Sequence, residues 1–397
     1  MKKALWLCAL AVLGIQGLWS QTNGGKGGGS KKDAHPQTSQ KAPPKALTTL
    51  KTRNVVVITT DGVRWEDVFR GPDETLMNRE IGGIRDATKT KADYLRPTRE
   101  ENRRNWMPFF WDVIAKQGVV YGNQDKGSVA RITNTFRFSY PGYNEIFTGQ
   151  FDPQINTNDF GPNPNVTVFE WLNQMPEFKG KVSAFGAWFA FPAIFNRERS
   201  GIFARGQWET PTDGKSKMTP EEARLDELYR TTIRQWSDEI PDSFLQAAVK
   251  DHIKRHRPRV LFVGYGDTDK WAHLGRIDQH LRSAKLVDQF VGELWTMMQA
   301  MPQYRGTTTF IITTDHGRGQ GMDWKNHNDK VAGAENIWIA VIGPDTPALG
   351  ERSGGEVVTQ SQVAATVAAL LGKDYHGAMK ASGKDVGSPL GEAIGKK

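Results

Sequence analysis

From Asn54 onward, short runs of apolar and β-branched residues alternate with longer stretches whose apolar positions recur at helical spacing. NVVVITT (54–60), KVSAFGAW (181–188), RVLFVGYG (259–266), TTTFIITT (307–314) and NIWIAVIG (336–343) read as buried strands. NWMPFFWDVIAKQG, DSFLQAAVKDHIKRH, IDQHLRSAKLVDQFVGELWTMMQAM and SQVAATVAALLG read as helices. The alternation predicts an α/β fold, a three-layer sandwich with a mainly parallel sheet and ligands bound at the carboxyl ends of its strands. Residues 71–104 and 189–240 are polar, charged or aromatic and read as insertions that roof a site. No internal repeat is present.

The first twenty residues follow the plan of a secretory signal peptide: two lysines, then an apolar run ending near Ser20. The run is short for a membrane anchor and no stop-transfer pattern follows it. Leu7 is bulky where a lipidated cysteine needs a small residue before it. Export to the periplasm or beyond is expected, with no membrane span after cleavage. Residues 21–50, rich in Gly, Ser, Lys, Pro and Gln, read as a disordered basic linker, and a single domain is expected over 51–397.

Charge changes this picture little. The formal net charge is +8, but residues 1–53 hold nine Lys or Arg and one acid, which leaves 43 basic and 43 acidic residues for the rest. The folded domain is therefore near neutral, and no specific nucleic-acid partner is expected. Cys8, in the leader, is the only cysteine. The mature protein then has no disulfide, no thiolate ligand and no cysteine nucleophile, so any metal must be held by histidine and carboxylate.

Three of the strand runs end in acids: Asp61; Asp267 and Asp269; and Asp315, followed by His316. One aspartate after a strand is commonly a turn former or a cap. Three at the ends of parallel strands would share one edge. Asp269 and His273, four residues apart, fall on one side of a helical turn. His327 follows His316 by eleven residues in a glycine-rich loop, where a histidine alone would be an ordinary hydrogen-bonded one. Together Asp61, Asp269, His273, Asp315, His316 and His327 supply six N/O ligands, enough for two zinc-like ions with an open position at each. FRFSY (136–140) reads as a strand and PGYNEIFTG as a short helix with Pro141 in its first turn. Ser139 would then sit at a strand-to-helix elbow, where helix N–H groups favour an anion at its oxygen. A serine there serves equally as an N-cap. On a strand, Arg137 and Ser139 would face the same way, so Arg137 either reaches a substrate or pairs with an acid beneath the loops.

These motifs, in this order, resemble the alkaline phosphatase superfamily, particularly its branch of nucleotide pyrophosphatase/phosphodiesterases, phosphoglycerate mutases and phosphopentomutases. The shared order is a strand ending in Asp, a Ser or Thr elbow, a D-x-x-x-H pair, a D-H pair and a final His. SYPGYNEIFTG is similar to the diesterase elbow, and the resemblance spans Asn54 to Asn328. It implies an alkaline-phosphatase-like catalytic domain with one ion on Asp269, His273 and His327. The other ion would lie on Asp61, Asp315, His316 and the Ser139 oxygen. Asn158, in INTND, would hold a phosphoryl oxygen. The implied activity is hydrolysis of a small phosphate ester through a phosphoserine on Ser139, with zinc as the metal. Manganese is the alternative, because the short spacing to His327 is similar to that of the mutases. A diester or pyrophosphate is favoured, since a monoester site usually adds a cation such as Arg. A phosphomonoesterase or mutase is the alternative. A sulfatase would need Arg four residues after its nucleophile, where this chain has Tyr143. The reading from another class is a metal-stabilised glycan-binding protein, using the thirteen tryptophans and the aromatic run GAWFAFPAIF (186–195). Core packing is the commoner use of such residues.

Overall fold

The computed structural model describes residues 50–210, 212 and 217–395. The expected signal peptide, Cys8 and all but the last residue of the expected linker lie outside the described residues. The chain divides into two units, Met1–Thr48 and Thr49–Lys397, and every element below belongs to the second.

The described residues form ten strands: β1 (Asn54–Thr60), β2 (Val119–Tyr121), β3 (Ala130–Arg131), β4 (Val182–Gly186), β5 (Phe203–Gly206), β6 (Val260–Tyr265), β7 (Thr308–Thr314), β8 (Ile339–Ile342), β9 (Gly350–Glu351) and β10 (Val358–Thr359). Eight make one sheet in the order β5-β4-β6-β1-β7-β8-β2-β9, while β10 and β3 pair separately. β8 alone runs against its neighbours β7 and β2. The continuous apolar runs are strands because both faces of this sheet are covered. Along β1, Val56 and Ile58 enter one core, and Val55 and Val57 the other. The long helices Asp242–His256 and Ile277–Ala300 bury residues in the first core. Ser139–Thr148, Val168–Asn173 and Gln362–Leu370 do so in the second. The result is the expected three-layer sandwich.

Three expectations change. The helix over NWMPFFWDVIAKQG is broken: an α-helix ends at Trp106, Phe110–Ile114 forms a π-helical turn, and Ala115–Gln117 returns to α. The buried Asp288 carboxylate accepts the Phe109 and Phe110 N–H groups at 2.9 and 2.8 Å, which anchors the break. The span 189–240 also contributes to the sheet itself, through the edge strand β5 beside β4.

The third change concerns the elbow. FRFSY is not a strand: Arg137 has φ +57°, and the helix begins at Ser139. Side chains satisfy this backbone instead of a ladder. The buried Glu145 carboxylate accepts the Thr133 and Asn134 N–H groups, and Asn134 Oδ1 accepts the Arg137 N–H at 2.9 Å. Arg137 and Ser139 therefore do not share a strand face. The Arg137 guanidinium donates to the Val331 carbonyl at 2.9 Å and pairs with Glu335 at 3.1 Å.

Candidate metal centre

β1, β6 and β7 are adjacent and parallel, so their carboxyl ends bring Asp61, the helix Asp267–His273 and the Asp315–His316 pair to one edge. Asp315, His316 and His327 are each aimed by a second contact, and the backbone that carries Asp61 is tied down. Asp315 Oδ1 accepts the Gly62 N–H at 3.1 Å, which turns Oδ2 toward the site. Thr268 Oγ1 donates to the Asp61 carbonyl at 2.6 Å, tying the loop after β1 to the helix that carries Asp269. Gln360 Nε2 donates to the Thr314 and Asp315 carbonyls at 2.9 and 2.8 Å, which pins the end of β7. His316 Nδ1 donates to the Gly317 carbonyl at 2.9 Å and His327 Nδ1 to the Arg137 carbonyl at 3.0 Å. Those bonds fix the tautomers and leave both Nε2 atoms facing the site.

Two groups of ligand atoms result. His316 Nε2 lies 3.3 Å from Asp61 Oδ1 and 3.4 Å from Asp315 Oδ2. Asp269 Oδ1 lies 3.3 Å from His273 Nε2 and 3.5 Å from His327 Nε2, and the two imidazole nitrogens are 2.9 Å apart. Atoms about 2.0–2.1 Å from one tetrahedral ion lie roughly 3.4 Å from one another, so both groups fit a divalent metal. Asp61 Oδ1 and Asp315 Oδ2 are buried with no hydrogen-bond partner, an unfavourable state for carboxylate oxygens that coordination would relieve. The His316 and His327 rings stack with centroids 3.7 Å apart, so the two groups are contiguous. His316 also lies within ligand reach of Asp269 and His327. The shorter distances assign it to Asp61 and Asp315.

Burial alone would lower the His316 pKa; the Asp315 and Asp61 carboxylates outweigh it and hold the imidazolium up to about 9. Burial, then Asp61, raises Asp315 to about 7. Burial and the neighbouring cations push His327 well below its ordinary value.

Ser139 is the first residue of the helix Ser139–Thr148, and its Oγ stands 3.5 Å from His316 Nε2. That helix lies close against β7, since a Cβ on Gly142 would fall 2.4 Å from the Asp315 carbonyl oxygen. Asn158 Oδ1 accepts the Tyr140 N–H at 2.9 Å, and its Nδ2 has no partner among the described residues. All the ligand candidates, Ser139 and Asn158 are thus brought together, and Arg137 is turned away to Glu335.

One neighbour was not singled out by motif. Arg318, fully buried, donates Nε to the Gly62 carbonyl at 2.9 Å, Nη1 to the Lys325 carbonyl at 3.0 Å and Nη2 to Asp269 Oδ1. Burial lowers its pKa to about 9. Its only signal in the sequence is an arginine between two glycines, two residues after the Asp-His pair.

The fold, together with the family match below, indicates a hydrolase of the alkaline phosphatase superfamily. The fold is shared with the alkaline phosphatase PafA (12% identity, TM-score 0.52, covering 88% of this chain and 100% of that one). It is shared also with BT1596, a 2-O GAG sulfatase (12%, 0.50, 87% and 75%). A phosphonate monoester hydrolase from Silicibacter pomeroyi aligns over 87% of this chain and 77% of its own, at 12% identity and a TM-score of 0.49. Among curated proteins none matches this sequence. The family model for type I phosphodiesterase / nucleotide pyrophosphatase matches residues 85–339, and the chain belongs to that family.

Proposed function

We propose that the protein is an exported, two-metal phosphohydrolase that cleaves phosphate diesters or pyrophosphates through a phosphoserine on Ser139. The observation that carries this reading is the convergence of six N/O ligand candidates in two adjacent groups beside a helix-N-terminal serine, with two buried carboxylate oxygens that have no hydrogen-bond partner. Asp269, His273 and His327 would hold one divalent ion, and Asp61, Asp315, His316 and the Ser139 oxygen the other. Zinc fits this thiolate-free His and carboxylate set, with manganese as the alternative.

Two such ions supply Lewis-acid stabilisation of the phosphoryl oxygens and a lowered pKa for a bound hydroxyl. Ser139 Oγ, its proton passing to solvent, attacks phosphorus in line; the P–O ester bond breaks and the departing oxygen leaves with the other product, taking up a proton from solvent. Water then attacks the phosphoserine and restores the hydroxyl. The helix start directs its N–H groups toward the negative phosphoryl group. Asn158, oriented by its bond to Tyr140, presents Nδ2 as a neutral donor to a phosphoryl oxygen. His316 is unsuited to be a general base for Ser139, because the Nε2 that stands 3.5 Å from Ser139 Oγ is the atom that would hold the ion with Asp61 and Asp315.

Substrate charge decides between ester classes. Arg137 is spent on Glu335 and Val331, so it adds no cation for the second charge of a monoester. That supports the diester reading. A sulfatase reading is disfavoured because Tyr143, at the position of the required arginine, is buried and packs against Phe191. Glycan binding by the aromatic run is disfavoured in the same way: Trp188, Phe191 and Phe195 are core, and Phe189 alone of its aromatic residues is exposed.

The deciding experiment compares kcat/KM for bis(4-nitrophenyl) phosphate, 4-nitrophenyl phosphate and 4-nitrophenyl sulfate, before and after chelation and metal return. The diester should be preferred, and chelation should abolish turnover. A strong preference for the monoester or the sulfate would reverse the substrate assignment, and activity after exhaustive chelation would remove the metals from the mechanism. The leader at 1–20 supports export, which fractionation of expressing cells would test by whether the cleaved form leaves the cytoplasm.

A further inference from the structure

The chemistry above makes no use of Arg318, yet this guanidinium is fully buried, beside the equally buried Asp315 and His316. A buried cation is strongly unfavourable unless it is paired and hydrogen-bonded, so its placement demands a return. Its three partners belong to three different segments. Gly62 follows Asp61 directly, Asp269 is itself a ligand candidate, and Lys325 precedes His327 by two residues. Arg318, two residues past His316, therefore touches or belongs to every segment that carries a carboxylate or histidine ligand candidate. The planar fork of an arginine reaches three acceptors in fixed directions, which a lysine ammonium on a single atom does not reproduce. Gly62 makes the room: it has φ +60°, and a Cβ there would lie 2.7 Å from Arg318 Nε and 2.8 Å from Nη2.

We infer that Arg318 is a positioning residue that assembles both halves of the metal centre before an ion arrives, and that it sets metal affinity chiefly through Asp269. The inference rests on the two-metal reading. By tying the loops after β1, β6 and β7 to one rigid group, Arg318 holds Asp269 Oδ1 at 3.3 and 3.5 Å from His273 and His327. The opposite role would be a competitor that occupies Asp269 and must be expelled, and the two roles differ in sign. Loss of a positioning group weakens metal binding, whereas loss of a competitor tightens it.

The test measures binding of Zn²⁺ and Co²⁺ to wild type, Arg318→Met and Arg318→Lys, with the Co²⁺ visible spectrum and the melting temperature of the metal-free protein recorded for each. One of the two equivalents should weaken by about 10–100-fold in Arg318→Met, as for other groups that orient metal ligands, with an altered Co²⁺ spectrum. Arg318→Lys keeps the charge but not the three-way contact, so at least a tenfold loss should remain. A purely structural arginine would lower the metal-free melting temperature and leave both affinities and the spectrum unchanged. Unchanged or tighter binding in Arg318→Met overturns the inference; if that variant does not fold, wild-type affinity in Arg318→Lys overturns it. A wild type that binds no divalent ion overturns the two-metal reading as well, so the two failures are distinct.

Discussion

His273 and His327 are 54 residues apart in the chain, yet their Nε2 atoms face each other across 2.9 Å, both within 3.5 Å of Asp269 Oδ1. Two neutral imidazoles can share at most one proton along that line, so the arrangement is better satisfied by a cation than by a hydrogen bond. His273 comes from the helix Asp267–His273, and His327 from the loop beyond His316.

Ser139→Ala should abolish turnover by several orders of magnitude and leave metal content near two equivalents, since six other ligands remain. Acid-quenched wild type should carry phosphate on the Ser139 peptide, and the variant should not. Normal turnover in the variant would reduce Ser139 to a structural residue of the helix start.

Metal uptake should depend steeply on pH. His316 binds metal only when neutral, and with its pKa held near 9 the site must release a proton at pH 7–8. Asp315, raised to about 7, binds only when ionised and adds a second proton below that pH. Affinity should rise with pH through 7 to 9, by about tenfold per unit for each proton released. Calorimetry in buffers of different ionisation enthalpy counts the protons, and a count of zero at pH 7 would contradict the charge balance described here.

Gly142→Ala tests how tightly the nucleophile helix is set against β7. Alanine favours helix by about 1 kcal/mol over glycine, but a Cβ 2.4 Å from the Asp315 carbonyl must push the two elements apart. Overpacking of this kind costs about 1–3 kcal/mol, so the clash should win. A lower melting temperature is expected, with kcat falling on the order of a hundredfold as Ser139 moves from the ligands. Melting curves and single-turnover kinetics would show it.

Asn158→Ala should lower kcat/KM for a diester by roughly ten- to a hundredfold, the worth of one hydrogen bond to a charged group. Metal content should not change. An unaltered kcat/KM would remove Asn158 from the substrate.

Acid stability should report on His252, which is buried between Phe185 and Phe203 and bonded to Ser183 Oγ at 2.9 Å. Burial, reinforced by His256 and nearby arginines, lowers its pKa from 6.5 to about 3. As pH falls below 6.5 the unfolded chain takes up a proton that the folded chain refuses until about pH 3, so stability is present above 6.5 and is lost across that window. The slope should be about 1.4 kcal/mol per pH unit, measurable by denaturant titration at pH 7, 6, 5 and 4. His252→Gln should flatten it.

Much of this architecture was legible because it is written locally. An unbroken apolar run such as NVVVITT states that both faces of a strand are covered, and parallel order then brings Asp61, Asp269 and Asp315 to one edge. The spacing of Asp269 and His273 adds the first imidazole by helix geometry alone. FRFSY misled because its alternation imitates a strand, while the deciding contacts come from Asn134 and Glu145, polar side chains on either side of it. The edge strand β5 was missed because Phe203–Gly206 is four residues long, with only alternate positions buried. Arg318 was passed over because its meaning lies in a carbonyl 256 residues away, which no local pattern encodes.

The place of β1 at the middle of the sheet also bears on where this protein can be cut. The family match begins at residue 85, after β1 and Asp61, and stops at 339, before Gln360. A fragment trimmed to that span would lose the strand on which β6 and β7 are both built, together with one ligand candidate and the amide that pins another's backbone. The matched stretch therefore leaves out residues on which the sheet and the site are built. Sound ends for expression lie near Lys51, whose N–H reaches Asp345 at 3.0 Å, and near Gly395, after the turn that receives the Thr346 hydroxyl at Ala393.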